Sequence, residues 1–504
     1  MRIPESRFPL QSVSGRVRQP RDARIAAWYF CWDRISTACW SLESRPAFVF
    51  VLLSLAFGSA ISVVVPPLRG PDEIAHFLRI YSYSRGELLP AEEEGGRKGI
   101  FIEPELYNQL FFFRNAGERF ARNRDEGLRY GVIMKSAPRP RSAIQDAGQP
   151  AIFMPFAGTE GYTPVVYAPY ILAATLGNLF GLDFPNLLLV MRFFGLVTFT
   201  AIGAYAVTVT PGLKWAFVLV AMLPVSIYNR SVLSADGAAL ACALVVTALC
   251  FSAVQRNGRI WERSLWMTLC ALSKQPQIVF ALLELMASRG AGAVRRWSNL
   301  ALVVVPGFIL SPLWVVAVSA DIAAWRLLEA ETVPRQQFDP LWKLAYMWEH
   351  PLDFPLAMWT ALSVWGDRLW VELLGVLGWQ DIALALWIYL VLTIALLIVP
   401  LEKLDLKGSE RARVALITGL TALAYIVMVY LIFYLTYTPI EMDHVRGVQG
   451  RYFVIALPVT AIFIAAACNV GLRRGVLAAT AITGSLLSGI STFEALLEAH
   501  WLTQ

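Results

Sequence analysis

PAFVFVLLSLAFGSAISVVVPPL, residues Pro46–Leu68, is the stretch that decides the fold. Its 23 residues carry no charge and end beside two prolines. A hydrocarbon core of about 30 Å is crossed by roughly 20 apolar residues of α-helix. Similar uncharged runs follow at Phe193–Leu213, Asn299–Ala320, Ile382–Leu401, Val414–Ile440 and Tyr452–Leu472. Over all 504 residues only 16% are charged, against about 25% in an ordinary soluble domain. So many spanning-length runs have no use in a soluble core, and they lack the alternation of an outer-membrane barrel. The sequence therefore specifies an all-α polytopic membrane protein and excludes a soluble enzyme or a nucleic-acid binder.

The remaining charge gives the topology. The net charge is +6, and in a membrane protein such an excess marks cytoplasmic loops rather than nucleic-acid binding. Residues 1–46 carry eight Arg and four acids, which puts the N-terminus in the cytoplasm. Within this tail Ile25–Trp40 mixes aromatics with sparse charge and reads as an interfacial helix. A first transmembrane helix over 47–65 leads into the long polar segment Pro66–Thr163, whose 13 basic and 13 acidic residues balance. On this topology that segment is external.

The apolar stretch Tyr162–Gly181 reads as a re-entrant or interfacial helix. If it spanned, the basic loops Gln255–Arg263 and Lys403–Arg413 would fall outside, against the positive-inside rule. The external loop then covers 66–186. Helices follow at about 187–209, 214–228, 236–254, 258–274, 276–290 and 299–320, an external interfacial segment at 321–382, and helices at 383–401, 412–436, 452–470 and 475–497 within 383–504. With the first helix that makes about 11 spans, Lys274 and Pro276 marking a short external break. None of the six cysteines forms a C-x-x-C pair, so neither zinc nor redox chemistry is indicated.

The informative polar residues collect on the external side. Asp72, Glu73 and His76 follow the first helix, with Asp72 and His76 at i and i+4 on one helical face. Asp236 opens a helix, Lys274 stands at the break, and Asp381 lies in GWQD. His444, Arg446, Arg451 and Tyr452 lie in EMDHVRGVQGRYF. An acid in a first helical turn is commonly a cap, and an Arg at a helix end commonly snorkels to headgroups. Their gathering at one membrane surface carries more weight. Guanidinium groups suit phosphate, and carboxylates beside them suggest chemistry on a lipid-linked phosphate.

The order of motifs carries a resemblance. RGPDEIAHF at 69–77 is followed by Gly86-Glu87-Leu88, Tyr162-Thr163-Pro164 with Tyr167, Ser234-Ala235-Asp236, Leu272-Ser273-Lys274, GVLGWQD at 375–381 and QGRYF at 449–453. Over about 47–470 the chain resembles a bacterial family of multi-spanning membrane proteins of unknown function. By layout that family is similar to the GT-C glycosyltransferases, including the protein mannosyltransferases and the aminoarabinose transferases of lipid A. The resemblance implies a GT-C-like fold in the bacterial inner membrane and an external active site. It also implies a polyprenyl-phosphate sugar donor and an acceptor that is a glycan, a lipid or a protein of the cell envelope. Asp72 or Glu73 matches the acid of the first external loop, Asp236 the acid of the second, and Lys274 a Lys-containing motif. The Lys that some relatives place before the interfacial helix is Tyr162 here.

The expected roles follow from glycosyl transfer. Asp72 is the general base, with Glu73 second. Asp236 positions the acceptor or, with Asp72, a divalent metal such as Mg or Mn. Lys274, Arg446 and Arg451 hold phosphate, and His76, His444, Tyr452 and Asp381 complete the substrate side. A transporter or flippase, or a polymerase or ligase of lipid-linked saccharides, is the competing class. A transporter would call for mid-membrane charge and inverted repeats, and the sequence shows no such repeat.

Overall fold

Proline and charge, more than apolar content, set where the helices break. The computed structural model describes residues 44–93, 96–123, 127–136, 150–255, 258–287, 293–318 and 334–502. The basic tail and its expected interfacial helix at 25–40 lie outside the described residues, apart from residues 44–46. Among the described residues seven helices are long and apolar enough to cross a membrane: Pro46–Val64, Phe184–Val209, Ala235–Gln255, Val294–Val318, Gly408–Tyr437, Gly450–Cys468 and Arg474–His500. Pro164–Leu179, Gln275–Ala287 and Leu386–Ile398 are shorter apolar helices.

Two expected helices are not continuous. The segment expected at 214–228 is two eight-residue helices, Lys214–Ala221 and Pro224–Ser231. Pro224 cannot donate to the helical ladder and pushes the preceding residue out of the helical region; Leu223 accordingly has ψ 149°. The helix Ile260–Ser273 stops at Lys274, which is extended (φ −147°, ψ 137°), as the expected break requires. The chain resumes as a 3₁₀ helix, Gln275–Leu283, with one α-turn, Glu284–Ala287, in place of the α-helix expected at 276–290. The all-α expectation also needs an addition. The first loop carries a small antiparallel sheet of Ala91–Glu92, Lys98–Ile102 and Ile152–Pro155 in that order. Val376–Leu377 and Ile382–Ala383 form a two-residue hairpin.

Hydrogen bonds show which helix ends meet. At one end, Trp501 donates to the carbonyl of Val64 at 2.7 Å, Tyr228 to that of Arg69 at 2.8 Å, and Thr163 to that of Leu272 at 2.9 Å. At the other, the Leu213 amide donates to Glu402 at 2.9 Å, the Leu472 amide to Leu401 at 2.9 Å, and Arg413 to the Met286 carbonyl at 2.7 Å. The first loop therefore sits at the end where the first helix finishes and the last one stops.

Burial separates an inner layer from an outer one. The helix Ala235–Gln255 is enclosed along nearly its whole length. By contrast, Leu302, Val305, Ile309, Leu313 and Val316 leave one face of Ala293–Val318 bare, and Leu386, Leu390, Ile394 and Leu397 do the same for Leu386–Ile398. Apolar stripes this long are stable only against lipid. The loop helix Glu73–Ser84 packs inward instead: Phe77, Leu78 and Ile80 join Tyr167, Tyr170, Leu188 and Met191 in the main core.

Candidate functional site

The link after the first helix is fixed by one ion pair. Glu73 is 1% exposed. Its Oε1 accepts from Arg192 Nε at 2.8 Å and the Leu233 amide at 3.0 Å; its Oε2 accepts from Arg192 Nη2 at 2.7 Å and the Gly70 amide at 3.0 Å. Arg192 spends its other three N–H groups on the carbonyls of Ser62, Val65 and Pro66. Every donor of the guanidinium is used. Glu73 was expected as a second catalytic acid; it is a structural anchor, because both oxygens are filled and water is excluded. The signal was Arg192, a charge at the edge of an apolar run.

That anchor leaves Asp72 facing outward. Asp72 occupies the N-cap position but makes no side-chain capping bond, and its backbone is left-handed at φ 53°. A non-glycine residue in that region is strained, a condition that clusters at functional sites. Its side chain is 63% exposed, and Oδ2 accepts from Arg451 Nη2 at 2.8 Å. The common reading of Pro-Asp-Glu as a cap does not hold here.

Two further charges close around this contact. Asp236 lies in the first turn of Ala235–Gln255, where the Ser234 hydroxyl accepts its amide at 3.0 Å and frees its carboxylate from capping. Asp236 Oδ1 is paired with Lys274 Nζ, while Oδ2 accepts from Asn229 at 3.3 Å and stands 3.9 Å from Arg451 Nε. Lys274 is 9% exposed and lies 5.0 Å from the centre of the Tyr452 ring. Arg451 Nε is buried and has no hydrogen-bond partner. Arg451 is aimed by the 3₁₀ turn Gly450–Ala456, whose first amide donates to Glu372 at 2.7 Å. A Cβ on Gly450 would sit 1.9 Å from the Leu369 carbonyl oxygen, so only glycine lets this turn approach.

His76 borders the cluster from the same helix as Asp72. Its Nδ1 is 2.6 Å from the Tyr167 hydroxyl, and its ring lies 5.6 Å from that of Tyr162. Burial pushes its imidazole down to about 4, against the pull of the Asp72 and Asp236 carboxylates. His76 is thus neutral at pH 7 and acts as a hydrogen-bonding group, not a cation. Tyr167 and Asn229 were not anticipated as site residues; both are neutral, so sorting charges by side could not find them.

The remaining expected residues lie elsewhere. Asp381 pairs with the buried Arg69 at 2.6 Å and accepts from the Trp379 amide at 2.9 Å. Arg69 lies 4.9 Å from the Phe120 ring centre and 4.5 Å from that of Trp379. Asp381 therefore clamps the 376–383 hairpin onto the turn before Asp72 and does not reach the cluster. His444, bonded to Asp443 at 2.7 Å, and Arg446 line a separate pocket.

The donor set does not suit a divalent metal. Two carboxylates are present, each already matched by a cation, and two cations share the space. Among the described residues no group of three His, Cys, Asp or Glu could hold a metal ion. The set suits an anion that would take over Arg451 and Lys274. Beside it, an apolar groove of about 340 Å³ runs between Pro164, Val165, Leu272, Leu310, Leu313 and Trp314.

Residues 55–460 match the model of a family described as a predicted membrane protein, DUF2142. No curated protein and no solved structure matches the chain.

Proposed function

The chain belongs to the predicted membrane protein family DUF2142, and within it we propose a glycosyltransferase that uses a polyprenyl-phosphate sugar at the external membrane face. The reading rests on one observation above the others. Asp72, Asp236, Lys274 and Arg451, from four separate segments, meet at one end of the helices. The apolar groove beside Leu272, two residues from Lys274, has the character required to hold the isoprenoid chain of such a donor.

The orientation follows from the basic residues. Lys214, Arg259, Lys403, Lys407, Arg411 and Arg473 stand at the end opposite the cluster or in the short connections there. By the positive-inside rule that end is cytoplasmic. On this proposal eleven segments cross: the seven long helices, the broken pair Lys214–Ser231 and the short segments Ile260–Ser273, Gln275–Ala287 and Leu386–Ile398, with Pro164–Leu179 in the interface. The GT-C-like layout is part of the same proposal.

The chemistry needs a base, a stabilised leaving group and orientation. Donor phosphate displaces Asp72 from Arg451 and takes up the remaining N–H groups of Lys274, both as charge-assisted hydrogen bonds. Asp72, released from Arg451, accepts the proton of the acceptor hydroxyl as its oxygen attacks the anomeric carbon. The bond from that carbon to phosphate oxygen breaks, and the polyprenyl phosphate leaves with both bonding electrons. A single displacement inverts the anomeric centre. Asp236 holds Lys274 in place, and neutral His76 orients Tyr167. The test is labelled transfer: membranes containing the chain are fed polyprenyl-phosphate sugars with a radioactive sugar. Product formation that disappears in Asp72→Asn supports the reading. Full activity in that variant overturns it.

A further inference from the structure

His444 and Arg446 belong to a second pocket, of about 240 Å³, on the far side of the Gln449–Gly450 link from Arg451. Its groups form a coherent set. Arg446 is exposed, and among the described residues it has no acidic partner. Arg368 donates to Glu372 at 2.7 Å and lies 6.0 Å from the ring centre of Trp365, which is 42% exposed. Two polar atoms at this pocket are buried without a partner: the Tyr430 hydroxyl and Gln449 Oε1. Gln380, also in the lining, has a left-handed backbone at φ 65°.

These groups ask for a ligand of mixed chemistry. Buried polar atoms are normally satisfied, so two orphans on residues that line one cavity point to an absent partner. Gln449 Oε1 can only accept, so the partner must donate, and a sugar offers more hydroxyl donors than inorganic phosphate does. An unpaired guanidinium calls for an anionic group. A half-exposed indole face suits the C–H face of a sugar ring. We propose that this pocket binds an anionic sugar unit, one bearing a carboxylate or a phosphate, as the acceptor end of the transfer. Gln449 would bridge the two sites, two residues from Arg451 in the charged cluster. The acceptor role rests on the transferase reading above; the capacity to bind does not.

The test is equilibrium binding to the purified full chain in detergent, followed by saturation-transfer NMR. The probes are glucuronate, glucose 6-phosphate, methyl glucoside and inorganic phosphate. At least one anionic sugar should bind about tenfold more tightly than methyl glucoside and than inorganic phosphate, the scale of one charge-assisted hydrogen bond. Arg446→Gln should remove about that factor, and Trp365→Ala should weaken both sugars; both positions are exposed, so the variants keep the fold. Preference for glucuronate or for glucose 6-phosphate tells which anionic group is read. Three results overturn the proposal: no binding of either anionic sugar, phosphate binding as tight as the better of the two anionic sugars, or binding indifferent to Arg446→Gln. Intact binding with no labelled transfer removes the transferase reading alone.

Discussion

Two clusters of charge, built on adjacent residues, follow different rules. At Glu73 and Arg192 the ions are buried, each guanidinium N–H and both carboxylate oxygens are committed, and three of the bonds go to backbone carbonyls. At Asp72 and Arg451 the carboxylate is 63% exposed, its backbone is strained, and Arg451 Nε is left without a partner. A saturated pair has no capacity left for a ligand. An unsaturated one can exchange its partner for a phosphate. What distinguishes a site from an anchor here is unspent hydrogen-bonding capacity, not the presence of charge.

The comparison can be broken most directly at the two acids. Asp72→Asn should lower labelled transfer by about 10²–10⁴-fold, the usual contribution of a positioned base, while the thermal midpoint in detergent stays put. Glu73→Gln should do the reverse. It leaves Arg192 charged in a buried place, a change that costs about 3–5 kcal/mol and is read as a large drop in thermal midpoint. Adding Arg192→Met to Glu73→Gln should recover much of that loss, because a buried pair is often replaceable by apolar groups. If instead Asp72→Asn unfolds the protein and Glu73→Gln only silences it, the two roles are exchanged.

A smaller effect is expected at Lys274. Lys274→Met should raise the KM for a polyprenyl-phosphate donor by roughly 10–100-fold, the worth of one or two charge-assisted hydrogen bonds. The same variant leaves Asp236 with Asn229 and the more distant Arg451. A change in kcat with KM untouched would mean that Lys274 serves the transition state rather than donor binding, and would move it into the same functional class as Asp72.

Much of this layout was legible in the sequence because few charges survive in an apolar chain. Sorting them by side brought Asp72, Asp236, Lys274 and Arg451 together before any geometry was known. The break at Lys274 was legible because Pro276 follows it. Sequence could not separate Asp72 from Glu73, since both follow Pro71 and both read as first-turn acids. The separation depends on Arg192, 119 residues away from Glu73. The same blindness placed Asp381 in the site: its side was legible, its partner Arg69 was not. The split of the segment expected at 214–228 has its sequence signal in Pro224. The three-stranded sheet was hidden because its strands are two to five residues long and the third, Ile152–Pro155, lies far from the other two in the chain.

The mildest test concerns His76, which joins the two regions by sharing a helix with both acids. Burial lowers its pKa to about 4 from an ordinary 6.5, so the unfolded chain binds a proton here that the folded chain refuses. Stability from this group is therefore complete above pH 6.5 and is lost as the pH falls from 6.5 toward 4. Linkage puts the loss at roughly 2 kcal/mol by pH 5. His76→Gln keeps a hydrogen bond to Tyr167 within reach and removes the titration, so its thermal midpoint should be flatter across that window than the parent's. If parent and variant lose stability in parallel, the acid sensitivity belongs to the carboxylates.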